Sequence, residues 1–124
     1  MASTIQNNVI VDKSFQLAIN ILKFAQVLQD KKQFILSNQM QRSGTSIGAN
    51  IREAQNAESK ADFIHKFKIA AKEADETEYW LLLCKEIGYP QQAQLLFSEL
   101  FVIQKIVTKI ISTTKNQLIS RTGN

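Results

Sequence analysis

A chain of 124 residues has the length of one domain and enough material to bury a core. With 44% hydrophobic and 21% charged residues it is not a disordered chain, and no uncharged apolar run approaches the roughly 20 residues a membrane span needs. The net charge of +4 is unevenly placed: residues 31–52 hold four basic residues and no acid, nothing after Glu99 carries a carboxylate, and acids crowd into Glu73-Ala74-Asp75-Glu76-Thr77-Glu78, an asymmetry that permits binding to polyanions.

Residues 1–11 are uncharged and lack a helical period, so a frayed or strand-like tail is expected there. With no basic start and no apolar centre, this stretch is not expected to act as a signal peptide. Asp12 is the candidate N-cap of a first helix over about 12–30, in which Phe15, Ala18, Leu22 and Ala25 run beside Leu17, Ile21, Phe24 and Leu28. After a polar turn at Gln29-Asp30-Lys31-Lys32, a second helix covers about 33–55, starting near Gln33 or later with Ser37 as its cap. Its stripe is Leu36, Met40, Ser43/Gly44, Ile47, Ile51 and Ala54, with small residues at the centre.

Ser59-Lys60-Ala61-Asp62 resembles a capping box and opens a third helix over about 59–87, with Phe63, Phe67, Ala70, Ala74, Thr77, Leu81 and Cys84 as its stripe. Gly88 suits a left-handed C-terminal position and Pro90 the first turn of a fourth helix, about 91–118, leaving 119–124 as a polar tail. The pattern is that of an all-α, antiparallel up-down-up-down four-helix bundle. A lone cysteine, Cys84, cannot form an internal disulfide and fits a reducing cytoplasm.

The fourth helix is apolar over about two-thirds of its circumference. Leu96, Leu100, Ile103, Val107 and Ile110 make one stripe, Leu95, Val102 and Ile106 a second, and Phe97 and Phe101 lie on the other side. Leaving that surplus in water forfeits about 25 cal/mol per Å², so self-association is expected.

Gly44-Thr45-Ser46-Ile47-Gly48 matches the G-x-S-x-G nucleophile pattern, but it lies within a helical period, and the chain's one histidine, His65, would have to be the base. The same residues form G-x-x-x-G, which lets helix backbones approach closely. Asp62 and His65 have a bundle metal-site spacing without the second histidine such sites use. No catalytic residue, metal or cofactor is expected. Glu53, Glu58, Glu73 and Glu76 are expected to pair with Arg42, Arg52 or Lys72, and of adjacent Tyr79 and Trp80 one should pack inward.

Three segments carry a resemblance: residues 41–54 (QRSGTSIGANIREA), 58–63 (ESKADF) and 72–81 (KEADETEYWL). Together they resemble the bacterial four helix bundle protein family, also named after the intervening sequences of 23S ribosomal RNA genes, over about residues 12–118. The resemblance implies a ring-like homopentamer, no enzymatic activity, and kinship with the accessory protein of diversity-generating retroelements, which binds nucleic acid and associates with a reverse transcriptase. It maps the family's Arg-Ser motif onto Arg42 and Ser43 and its polar pattern onto Asn50, Glu53, Glu58, Glu73 and Glu76. Glycines 44 and 48 stand where other members often carry alanine or proline.

The leading expectation is therefore a non-enzymatic, cytoplasmic, oligomeric accessory protein that binds RNA or DNA by charge. Its candidate contacts are Lys31, Lys32, Arg42, Arg52, Lys105, Lys109 and Lys115. Candidate assembly and packing residues are Ser43, Gly44, Gly48, Asn50, Glu53, Glu73 and Glu76, with Leu95, Phe97, Phe101, Val102 and Ile106 on the fourth helix. The rival expectation is a structural or protein-interaction module with no nucleic-acid role.

Overall fold

The computed structural model describes residues 4–122, which form four helices: α1 (Thr4–Asp30), α2 (Phe34–Ala54), α3 (Lys60–Ile87) and α4 (Pro90–Thr122). No strand occurs among the described residues. Consecutive helices are joined by turns of two to five residues, too short for anything but antiparallel neighbours. Cross-helix hydrogen bonds have that register: Ser37 pairs with Ala25 and Asn7 with Gln55, while Ser43 pairs with Thr77 and Glu53 with Lys66. As numbers climb along one helix they fall along its partner. Each helix packs against two others, α1 and α3 both lying between α2 and α4, with α4 seated more extensively on α3 than on α1.

The inward stripes meet in one core that includes Ile21, Leu28, Met40, Ile47, Phe67 and Leu100, all fully buried. Each such side chain contributes about 1.5–3 kcal/mol by leaving water. On α1 the Leu17, Ile21, Phe24 and Leu28 stripe is buried, whereas the other stripe is split, with Ala25 buried and Phe15 and Leu22 exposed.

Helix ends follow local chemistry. Ser59 caps α3 by accepting from the Asp62 amide at 3.0 Å, and the Asp62 carboxylate accepts from the Glu58 amide at 3.3 Å, one residue earlier than a standard capping box. Gly88 ends α3 at φ 125, and Pro90 occupies the first position of α4, where its missing N–H costs nothing. The α1 terminus closes in the same way without glycine. The Gln33 amide bonds to the Leu28 carbonyl and the Lys32 amide to the Gln29 carbonyl, which places Lys32 at φ 62.

Three expectations need correction. The N-terminal tail over 1–11 is helical from Thr4, because Ile10 continues the Ser14–Leu17–Ile21 stripe into the core; residues 1–3 lie outside those described. Asp12 is consequently an exposed mid-helix residue rather than a cap, and Ser37 lies inside α2 with its hydroxyl donating to the Ala25 carbonyl at 2.8 Å. The C-terminal tail over 119–124 is likewise helical as far as Thr122, with residues 123–124 outside those described.

Candidate assembly and nucleic-acid surfaces

The small residues at the centre of α2 serve contacts within the chain. A Cβ at Gly44 would lie 2.7 Å from Cγ2 of Ile21, and one at Gly48 would lie 3.3 Å from the Ser14 carbonyl oxygen, so both glycines let α2 approach α1. Ser43 is fully buried and accepts from the Thr77 hydroxyl at 2.9 Å, tying α2 to α3. Asn50 donates to the Ser46 carbonyl of its own helix, and Ser46 donates to the Arg42 carbonyl at 2.6 Å. The G-x-S-x-G stretch is thus mid-helix, with no strand-to-helix turn to present its serine.

Arg42 spans from α2 to α3. Its guanidinium meets Glu73 at 3.4 Å, pairs with Glu76, and donates to Gln39. Two carboxylates thus partly balance its charge, although its side chain remains 47% exposed. Glu53 pairs with Lys66 at 3.4 Å rather than with either expected arginine. Arg52 is exposed at the rim of a groove of about 430 Å³ between α1 and α2, opened by Ala18, Gly48 and Ala49 and flanked by Phe15. Tyr79 is exposed and Trp80 half-buried against the core, their rings edge-to-face at 5.1 Å.

The remaining basic candidates fall in two places. Lys31 and Lys32 are exposed in the α1–α2 turn. Lys105 and Lys109 lie one turn apart on the outer face of α4, at spacings of three and four from exposed Ser98, Phe101 and Ser112. The Lys105 ammonium stands over the Phe101 ring, 4.7 Å from its centroid. Lys115, also exposed, is about a third of a turn round from Lys109. The axial rise of α4 puts Lys109 about 28 Å from the end that carries Lys31 and Lys32, so the seven candidates do not form one patch. What singles out α4 is the lack of opposing charge. Its one carboxylate, Glu99, faces the α1 seam, accepting from the Asn20 amide at 2.9 and 3.0 Å. Neither Lys109 nor Lys115 has an ion pair among the described residues.

The apolar surplus on α4 is exposed. Leu95 is 70% exposed, Phe101 53% and Val102 41%, while Phe97 and Ile106 are half-buried against the core. Sequence reasoning missed that α1 carries a surplus of its own in Phe15, 64% exposed, and Leu22, 46% exposed. The signal was present in the two parallel stripes of α1, which periodicity cannot rank. Between α1 and α4 the loose seam leaves two open hollows. One, of about 350 Å³, is bordered by Asn20, Lys23, Val27 and Leu95; the other, of about 330 Å³, by Lys13, Gln16, Ser98 and Val102.

Residues 6–111 match the family described as 23S rRNA-intervening sequence protein. The chain belongs to this family. A member of the S23 ribosomal protein family from Bacteroides thetaiotaomicron VPI-5482, a protein of unknown function whose crystal structure was solved at 1.70 Å, is 44% identical to it. The two share a TM-score of 0.83 over 86% of this chain and 98% of that one. No curated protein matches. The 23S rRNA-intervening sequence match ends within α4, so the last turns of that helix, with Lys115, extend beyond the matched residues. Among the described residues no group of three or more His, Cys, Asp or Glu side chains could hold a metal ion, and no helix is long and apolar enough to cross a membrane.

Proposed function

We propose that this protein is a non-enzymatic accessory protein that self-associates and binds RNA or DNA through the outer face of α4. The carrying observation is the charge on α4: Lys105 and Lys109 are exposed on its outer face and Lys115 a third of a turn round, no side-chain carboxylate follows Glu99, and Glu99 itself is held at the α1 seam by Asn20. Phosphate would be met through lysine, so recognition is of backbone and shape. Self-association multiplies the effect: five copies of a +4 chain in a ring-like homopentamer carry about +20, enough to concentrate a polyanion at the surface. The exposed Leu95 and Val102 are the apolar area such assembly would cover. Association with a reverse transcriptase, which the retroelement kinship implies, belongs to the same proposal.

The test is titration with RNA and DNA oligonucleotides at two salt concentrations. Affinity should fall steeply with salt, with a slope close to 0.9 per phosphate neutralised on duplex DNA. The Lys105→Glu/Lys109→Glu/Lys115→Glu variant should bind at least about tenfold more weakly and with a flatter slope. Equal affinity at both salt concentrations would contradict the proposal. An unaltered phenotype in the triple variant would favour the rival reading, a protein-interaction module.

A further inference from the structure

Resting on the nucleic-acid reading above, we infer that α4 selects unpaired strands over duplexes, with Phe101 as the platform on which an exposed base stacks and Lys105 and Lys109 as the contacts for the phosphates beside it. The placement of Phe101 points to this role. Leu95 and Val102, the exposed aliphatic residues of α4, stand about 20° apart on the side that borders the α1 hollows. Phe101 is about 100° round from Val102, on the outer face, and 53% exposed. Ser98 and Lys105 are its exposed neighbours there, with Lys109 and Ser112 beyond them. The ring is thus set among hydroxyl and ammonium groups, away from the apolar side of the helix.

Two further observations fit a base and its phosphates. The Lys105 ammonium stands over the ring, 4.7 Å from its centroid, so the π face of Phe101 is already the surface offered to a partner. Phe101, Lys105 and Lys109 also follow one another at four-residue intervals, each step rising about 6 Å along one ridge of α4. A strand that lays a base on the ring carries its neighbouring phosphates past the two lysines.

The pairing state of the strand decides the outcome. In a duplex the faces of the bases are hidden in the stack, and a convex helix bearing lysines meets phosphates alone. In an unpaired strand those faces are free, and every base has one, so an aromatic ring adds affinity without reading sequence. Stacking is worth more than an exposed cation–π contact, so the base takes the place of the ammonium over the ring. The flexible lysine stem then lets the released charge turn to the adjacent phosphate.

Titration of the full chain with labelled DNA of one length in three forms tests it: an unpaired strand, the same strand in a duplex, and a strand of abasic sites that keeps the phosphates. The unpaired strand should bind about fivefold or more tightly than either of the others. Phe101→Leu keeps apolar bulk but has no π face; it should lose that margin while leaving duplex affinity and the salt slope unchanged, because the slope counts phosphates. Phe101→Tyr should retain the margin, and Lys105→Glu should flatten the slope on all three forms. The abasic comparison uses the parent chain, so it holds whatever a variant does. Equal affinity for the unpaired and abasic strands, or an undiminished margin in Phe101→Leu, would overturn the inference. Salt-dependent binding without the margin sinks only the stacking role, whereas no binding to any of the three sinks the nucleic-acid reading beneath it.

Discussion

Lys32 sits at φ 62 in the closing turn of α1, where the hydrogen-bond pattern is that of a glycine-terminated helix. A side chain there meets its own carbonyl at a cost of about 1–2 kcal/mol, which glycine at the equivalent place in α3, Gly88, does not incur. Lys32→Gly should therefore raise the urea midpoint, by about 1 kcal/mol of stability, and an unchanged or lower midpoint would show that the strain is absent. The turn itself was legible at Gln29-Asp30-Lys31-Lys32, but its left-handed residue was not, because a lysine gives no sign of left-handed backbone, whereas Gly88 and Ser59 announce their roles by residue type. Cys84 makes a second case. It is fully buried, and burial pushes its thiol from 9.0 up to about 11. A raised value means the folded state holds the proton more tightly than the unfolded chain does. The corresponding stability is complete below about pH 9 and is lost as pH rises toward about 11. Denaturation followed across that window should fall more steeply in the parent than in Cys84→Ala, and parallel curves would contradict the assignment.

Among the elements, α3 and the opening of α4 were readable because Ser59, Asp62, Gly88 and Pro90 act through local hydrogen bonding and backbone geometry. The start of α1 was not, since the burial of Ile10 depends on the assembled core and leaves no local mark. The helix stripes were legible as periodicity, and α2, α3 and α4 bury the stripes that spacing predicts. On α1 the period fits two stripes equally, and the packing of α2 against it decides between them. That packing depends on the missing side chain at position 44. Gly44→Ala gains about 1 kcal/mol in helix propensity but drives a methyl into fully buried Ile21, an overpacking cost of about 1–3 kcal/mol. The net effect should be destabilising in thermal or urea melts. Gly48→Ala, whose new methyl would lie 3.3 Å from the Ser14 carbonyl oxygen, should come out closer to neutral. If Gly44→Ala were the more stable of the two, α2 would not be held against α1 by that close approach.

For the whole molecule the core and the surface tell different stories. In the interior the buried hydroxyls at Ser37, Ser43, Thr77 and Thr114 find partners, and the buried Trp80 Nε1 and Asn7 Oδ1 are without one among the described residues. The exterior does not close, because Phe15, Leu22, Leu95, Phe101 and Val102 remain exposed around α1 and α4. The candidate site was thus half legible in the sequence. The wide apolar arc of α4, its carboxylate-free lysines and the pairing of Arg42 with Glu73 and Glu76 were within reach of the sequence, while the contribution of α1 and the Glu53–Lys66 pair depended on which helices became neighbours. Covering the apolar surface and pooling the cationic α4 faces are one event in this account, so mass is the most direct measurement. Sedimentation equilibrium of the 14.0 kDa chain in dilute solution at moderate salt should give a particle of several copies, about 70 kDa for five. A single species of 14.0 kDa at every concentration would contradict it.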